Sequence, residues 1–381
     1  MKAATLRLDP ALEPALASGH PWIYRNRLPA HRLATGDWVR LVAGKAQAVG
    51  VYDAEGQVAV RLFARERVPD AAWLAARVDE AVALRRRFVP PETDAFRLIF
   101  GEGDFLPGLV ADRYGRFVVV KTYSEGVRRA VLPGVVKALG RTLRPRGIVQ
   151  RDATGLHPLY GEPPPPEVTV RERGLRFLAN LHAGQKTGLF LDQRENRQKV
   201  RELAAGARVL NLFAYNGGFS VYALAGGAAF VRSVDVSAAA LRDAERNVAA
   251  NGFAERHEAV AADAFEFLTR HDERYDLVVV DPPSLARRKE QRRAALRAYA
   301  RLNALALARL RPGGLLATAS CTAQVSPRAF REALAEAARR AGVRTQIVHE
   351  AGHAPDHPLR PGFPEGRYLK FAALRVLETI G

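Results

Sequence analysis

The sequence predicts an α/β protein in three parts: a small β-barrel over residues 1–66, a central α/β domain over 67–177, and a Rossmann-like domain with a mostly parallel sheet over 178–381. Three observations carry this prediction. The first 66 residues read as short strands parted by glycine-bearing turns, the pattern of a small barrel. Beyond about residue 178, apolar runs alternate strictly with helical segments, which means a doubly wound sheet with helices on both faces. Within that region Val209–Ser220 (VLNLFAYNGGFS) joins an apolar run to a glycine turn and a helix start, and the next apolar run closes on Asp235.

Composition sets the outer bounds. At 381 residues the chain is too long for one ordinary core. A net charge of +18 and a pI near 10.6 favour an extended polyanion as partner. No apolar run approaches the roughly 20 residues that span a bilayer, and Met1-Lys2 leads into no signal-peptide core. A cytoplasmic protein with no membrane partner is expected. A single cysteine excludes an intrachain disulfide and a cysteine-based zinc cluster, and no metal site is expected.

In chain order, Trp38–Val42, Ala48–Tyr52 and Val58–Phe63 are the barrel strands, divided by the turns Thr35-Gly36-Asp37 and Asp53–Gly56. Ser18–Asn26 sets Trp22, Tyr24 and Arg25 beside a Gly/Pro turn. Such residues are either the core of a small barrel or an RNA surface where aromatic and guanidinium faces stack on bases. Ala71–Phe88 is a helix with a basic last turn, stopped by Pro90-Pro91. Strands follow at Phe96–Phe100 and Arg116–Thr122, joined by a glycine-rich connection over Gly101–Tyr114. A helix at Ala130–Arg141 and a strand at Gly147–Arg151 complete the central domain. Gly101–Asp104 lacks the ligand count of a calcium loop and is expected to be a turn. Pro163–Pro166 is a stiff spacer expected to mark a boundary.

The third part has strands expected at Val209–Phe213, Phe230–Val234, Glu258–Ala261, Leu277–Val280, Leu315–Ala319 and Thr345–Val348. Its helices are expected at Phe219–Ala225, Ala238–Asn251, Ala264–Arg270, Gln291–Leu310 and Pro327–Ala341. In such a sheet ligands bind at the carboxyl ends of the strands. Those ends carry Asn211, Phe213, Ala214, Asn216, Gly217 and Gly218, then Asp235, Asp263, Asp281-Pro282-Pro283-Ser284 and Ser320-Cys321-Thr322. Glycines let backbone N–H groups approach a ligand, and Asp235 is placed to accept from ribose hydroxyls. Asp263 is suited both to an adenine amino group and to capping its helix. The turn has neither the G-x-G-x-x-G of a dinucleotide site nor the G-x-x-x-x-G-K-[ST] of a P-loop. In Asp281-Pro282-Pro283, proline fixes φ and removes competing donors, so a carboxylate and a carbonyl face a substrate amino or ring nitrogen rigidly.

Taken together, the last 200 or so residues resemble a class I S-adenosylmethionine-dependent methyltransferase, with motif I at Asn211–Ser220 and motif IV at Asp281–Ser284. The whole chain resembles the bacterial large-subunit ribosomal RNA methyltransferase I family, which methylates cytosine C5 in 23S rRNA. The closer match is carried by Gly19–Trp22 (GHPW), Gly184–Arg197 (GQKTGLFLDQRENR) and Phe363–Lys370 (FPEGRYLK). That resemblance implies an N-terminal PUA domain, a seven-stranded methyltransferase sheet and S-adenosylmethionine as cofactor. It further implies that Gly184–Arg197 closes over the cofactor, with Lys186, Phe190, Asp192, Arg194, Asp281 and Pro282 among the binding residues. The pattern of the residues alone makes Gly184–Arg197 only a strand leading into a helix.

Cys321 follows the fifth strand and so shares a rim with Asp281. Cytosine C5 is a poor nucleophile until a thiolate adds to C6, which makes C5 enamine-like. Cys321 suits the thiol and Asp281 the contact to N3/N4; no base is identifiable. Many RNA cytosine-C5 methyltransferases carry a second cysteine after the motif IV proline. Here Pro283 or Ser284 stands there, so product release must take another route or the acceptor atom is a different one. Arg287, Arg288, Lys289, Arg292 and Arg293 follow the DPPS loop and are either a phosphate clamp or a solvated helix face. His353 and His357 have no metal-ligand company and are expected in loops. The expected function is methyl transfer to C5 of a cytidine in 23S rRNA or a large-subunit precursor, and a homodimer would be unsurprising for the family. The rivals are N-methylation of an rRNA purine and a non-catalytic rRNA assembly factor.

Overall fold

The computed structural model describes residues 3–379 except Ala183 and Gln185, so Gln185 of the Gly184–Arg197 stretch lies outside the described residues, as do Met1 and Lys2. The chain divides into two compact units. One comprises Met1–Arg173, Ala179–Leu191 and Pro355–Gly366; the other comprises Gly174–Leu178, Asp192–Ala354 and Arg367–Gly381. Among the described residues no helix is long and apolar enough to cross a membrane.

The first unit holds two five-stranded sheets. In one the order is Ala4–Arg7, Trp38–Ala43, Ala46–Tyr52, Val58–Ala64, Trp22–Tyr24. Ala4–Arg7 pairs parallel with Trp38–Ala43, a strand the sequence reading missed because its residues are mostly exposed and carry no alternation. In the other the order is Gly155–Gly161, Gly147–Asp152, Phe117–Thr122, Leu109–Tyr114, Ala95–Phe100. The expected connection over Gly101–Tyr114 therefore contains a strand, Leu109–Tyr114, paired on both sides. Its start, Gly101–Asp104, is a single 3-10 turn. The expected helix at Ala130–Arg141 is two helices, Glu125–Ala130 and Leu132–Leu143, the first capped by Ser124.

The two sheets share apolar packing. Trp38, Val49, Val51 and Phe63 of the first join Leu74, Val78 and Val82 of helix Ala71–Phe88 and Ile99, Ala111 and Val118 of the second. The Pro163–Pro166 stretch lies inside this unit rather than at its edge: the Pro166 carbonyl accepts from Leu181 N at 3.1 Å.

A buried ionic cluster ties the two later segments into this unit. Arg85, 1% exposed, donates to both oxygens of Asp104 at 2.6 and 2.7 Å and to the Asp356 carbonyl at 2.7 Å. Arg97 binds both oxygens of Asp112, and its backbone N donates to Asp356 Oδ2 at 2.9 Å. Thr187 Oγ1 also donates to Asp112, and Leu189 N donates to Tyr114 Oη at 3.0 Å. Every buried carboxylate named here is thus met by a donor, as burial of charge requires. His357 lies in a loop, as expected, and is buried there, packed edge-on to Phe100.

The second unit is a seven-stranded sheet. Its strands are β1 (Arg208–Leu212), β2 (Phe230–Asp235), β3 (His257–Ala261), β4 (Tyr275–Val280), β5 (Leu310–Ser320), β6 (Val343–Ala351) and β7 (Lys370–Thr379). Its helices are α1 (Arg194–Leu203), α2 (Gly218–Ala225), α3 (Ala238–Ala250), α4 (Ala264–Arg270), α5 (Arg292–Leu307) and α6 (Pro327–Ala341). The order is β3-β2-β1-β4-β5-β7-β6, with β1 to β5 parallel and β7 antiparallel to both neighbours. Leu210, Leu212, Val278 and Val280 are fully buried, as central parallel strands covered on both faces must be. The seventh strand did not show in the alternation because only the single 3-10 turn Pro364–Gly366, and no α-helix, lies between β6 and β7. Among the described residues of Gly184–Arg197 there is no strand; Leu191–Gln193 is a 3-10 turn, and the strand that comes before α1 is Leu175–Asn180.

Candidate active site

Strand order reverses between β1 and β4, so their carboxyl ends open on the crevice where open α/β sheets bind ligands. The backbone leaving β1 is unusual. Phe213, Tyr215 and Gly217 have φ of 58°, 49° and 77°. Two left-handed non-glycine residues within three positions are costly and persist where the surroundings over-determine them. At Gly217 any side chain would also collide, since a Cβ would lie 2.9 Å from the Ala244 Cβ. The helix that follows, α2, has no side-chain cap at Gly217, whereas α3, α4 and α6 are capped by Ser237, Asp263 and Ser326. Its first N–H groups therefore remain available to an acidic ligand group.

Asp235 closes β2. Its Oδ2 accepts from Tyr215 N and its Oδ1 from Ser237 N, both at 2.9 Å. One carboxylate thus holds the glycine turn in place and keeps further acceptor capacity for hydroxyls. Asp263 Oδ1 caps α4 by accepting from Phe265 N and Glu266 N, leaving Oδ2 outward on an exposed residue. Ala214 and Asn216 are buried in the turn. An uncapped helix start, a carboxylate with open lone pairs and a second one beyond it form a donor and acceptor set that fits an amino-acid nucleoside.

Asn211 is buried in β1. Its side chain is 1% exposed and donates to Ser220 Oγ at 2.8 Å. Ser220 meets Ser233, which meets His257 Nε2 at 2.8 Å. This buried chain bolts β1, α2, β2 and β3 together beneath the turn. Burial holds the His257 pKa down to about 4. Arg194 is likewise fully buried, paired with Glu195 at 2.9 Å. Asp192 is 2% exposed and accepts from Tyr368 Oη at 2.6 Å. Both side chains are buried. Lys186 and Phe190 belong to the first unit, where the Lys186 ammonium lies 4.4 Å over the Phe190 ring.

At the next strand ends the structure brings Asp281, Pro282 and Cys321 together. Cys321 Sγ lies 3.8 Å from the Pro282 carbonyl. Gln193 Nε2 donates to Asp281 Oδ1 at 3.0 Å, and Asn196 Nδ2 bonds Gln193 Oε1 at 2.6 Å and the Gly352 carbonyl at 3.1 Å. Thr322, fully buried, receives Leu285 N and faces Tyr299 Oη at 2.8 Å, so the DPPS loop and the cysteine loop share an anchor. Burial raises the Tyr299 pKa to about 12, with the charges of Cys321 and Asp281 adding to it, so its hydroxyl stays protonated. Sequence reasoning gave Thr322 only as a strand-end residue and missed Gln193, Tyr299 and Lys370. Gln193 and Lys370 lie inside stretches already singled out, Gly184–Arg197 and Phe363–Lys370.

The RNA candidates divide. Arg287, Arg288, Lys289, Arg292 and Arg293 are all exposed on the loop after Ser284 and the first turn of α5, and none has an ion pair among the described residues. Arg25 is committed internally: it donates to the Gly56 and Asp53 carbonyls at 2.9 and 2.8 Å, which fixes the turn between two strands. Trp22 is half-buried; its Nε1 donates to Glu102 and its ring meets Phe363 edge-on at 4.7 Å. For both residues a packing role is what the geometry displays. Among the described residues no group of His, Cys, Asp and Glu is arranged to hold a metal ion.

Residues 130–360 match the family model of S-adenosylmethionine-dependent methyltransferases, and residues 6–65 match that of a PUA-like domain. The ribosomal RNA large subunit methyltransferase of Deinococcus radiodurans is 42% identical over 398 residues, covering 97% of each chain. The ribosomal RNA large subunit methyltransferase I of Photobacterium profundum is 36% identical over 390 residues, covering 96% of this chain and 97% of that one. A methyltransferase structure from Streptococcus mutans aligns with a TM-score of 0.86 at 23% identity, covering 98% of this chain and 100% of the other. A methyltransferase complexed with SAH gives 0.87 at 24% identity, with the same coverage. At such identities the structural likeness concerns the fold.

Proposed function

Since the chain belongs to the S-adenosylmethionine-dependent methyltransferase family, with relatives named ribosomal RNA large subunit methyltransferase I, we propose that it methylates C5 of one cytidine in 23S rRNA through a covalent Cys321 adduct. The cofactor is S-adenosylmethionine, which supplies an electrophilic methyl group when bound. The observation that carries the C5 reading is the contact of Cys321 Sγ with the Pro282 carbonyl, which sets the thiol against the loop that bears Asp281.

The Cys321 thiolate gives an electron pair to C6, forming an S–C6 bond, and the C5=C6 π pair moves onto C5. Asp281, aimed by Gln193, accepts from the cytosine amino group and holds the ring in register. C5 takes the methyl group, and the sulfide leaves with the pair from the broken S–CH3 bond. Loss of the C5 proton to a base re-forms the double bond and returns the thiolate. Asp235, Asp263 and the turn at Phe213–Gly218 hold the cofactor in this reading, and the exposed cations from Arg287 to Arg293 bind phosphate. A base inside a helix cannot reach the thiol, so the target is looped out or flipped.

Mass-spectrometric mapping of rRNA from cells with and without the protein tests the reading. Loss of a single 5-methylcytidine, restored by the wild-type chain and not by Cys321→Ser, is expected. An unchanged map, or full activity of Cys321→Ser, would overturn it, and the latter would direct attention to N-methylation.

A further inference from the structure

We propose that Lys370 is the positioning cation of this site: its buried ammonium keeps the Cys321 thiol ionised and fixes the loop that carries it. The inference rests on the assignment of Cys321 as nucleophile.

A thiol attacks as thiolate, and an ordinary cysteine is only a few per cent ionised at neutral pH. The groups already placed near Cys321 do not help. Asp281 is anionic, the Pro282 carbonyl is the negative end of a dipole, and Tyr299 stays neutral. An anion forming there needs a positive charge beside it.

Lys370 supplies one. Lysine is seldom buried unless paired, yet Lys370 is 4% exposed, and among the described residues no carboxylate pairs with it. It opens β7, opposite Ser320, so its side chain starts level with the residue before Cys321. Its Nζ donates to the Thr322 carbonyl at 2.6 Å and to the Tyr368 carbonyl at 2.8 Å. Thr322 is the residue after Cys321, so the lysine grips the cysteine loop by its backbone. Two carbonyls account for two of three N–H donors and none of the net charge. An ammonium held in this way carries an uncompensated desolvation cost, which a neighbouring thiolate would offset. Burial lowers the Lys370 pKa to about 8; the Cys321 charge pulls it up and Arg367 pushes it down. Lys370 is therefore a cation through the neutral range and loses its charge above about 8.

Cys321 is the sole cysteine of the chain, so the rate of iodoacetamide alkylation against pH reports on it alone, without methyl transfer. For the wild-type protein the midpoint of that profile should fall below the ~8.5 of a free thiol. Lys370→Met should move the midpoint up and slow alkylation at pH 7 about tenfold, the equivalent of one pKa unit. Lys370→Arg, which keeps the charge, should recover most of the rate. A wild-type midpoint at or above the free-thiol value overturns the proposal whatever the variants do. A Met variant that binds S-adenosylmethionine normally and overlays the wild-type profile also overturns it. So does uniform slowing at every pH, the mark of a purely structural lysine. If the Met variant loses cofactor binding, the wild-type midpoint and the Arg variant decide. Retained methyl transfer by Cys321→Ser would sink the C5 reading instead and leave the alkylation profiles standing.

Discussion

At Asp281 the direction of one carboxylate depends on a relay of amides. Asn196 is held by the Gly352 carbonyl, Gln193 by Asn196, and Asp281 by Gln193. A misplacement of about 1 Å in a reacting group can cost ~100-fold in rate. Gln193→Leu, similar in volume at a buried position, should lower turnover on rRNA roughly tenfold or more with the melting temperature little changed. Steady-state kinetics beside a thermal melt would show whether the effect lies in kcat, as loss of aim requires. Residues of this kind are hard to read from sequence, because an amide that orients a carboxylate has no spacing rule. Asp235, Asp281 and Cys321 could be placed as candidates because the first ends β2 and the others directly follow β4 and β5, and strand ends are where the fold puts ligands. Arg25 and Asn211 were legible as polar and conspicuous, but their bonds run inward, to backbone carbonyls and to a serine.

The chain Asn211–Ser220–Ser233–His257 joins four elements beneath the glycine turn. Its pH response follows from the depressed pKa of His257, about 4 when folded. The unfolded chain, near 6.5, binds more protons between those values, so this contribution to stability is complete above about 6.5 and is lost as pH falls toward 4. Denaturant midpoints measured from pH 7 down to pH 4.5 should decline, and His257→Gln should flatten part of the decline. The elements themselves were largely readable: β1 to β5 and their helices all lie where the apolar runs placed them, within a few residues. What escaped were strands lacking a helix or an alternating pattern beside them, Ala4–Arg7, Leu109–Tyr114 and β7. Their pairing is decided by distant partners rather than by local periodicity.

Over the whole molecule, a net charge of +18 makes RNA affinity a salt-dependent quantity. Neutralising Arg287, Arg288 and Lys289 together should weaken binding to rRNA fragments uniformly. The slope of log affinity against log salt should also become shallower, by about 0.7 to 0.9 for each phosphate that the variant leaves unneutralised. Titrations at several salt concentrations would measure it, and an unchanged slope would return these residues to the status of a solvated surface.

The path of the chain has its own consequence. The first unit takes in Ala179–Leu191 and Pro355–Gly366, and Asp356 bonds both Arg85 and the backbone of Arg97. Synthesis proceeds from the amino end at roughly 5–20 residues per second. The first two sheets therefore emerge early, with Arg85 and Arg97 able to pair at once with Asp104 and Asp112, but the Asp356 groups that complete their hydrogen bonding follow only after β1 to β6 of the second unit. The first unit to begin emerging is thus closed by a segment made late, Pro355–Gly366.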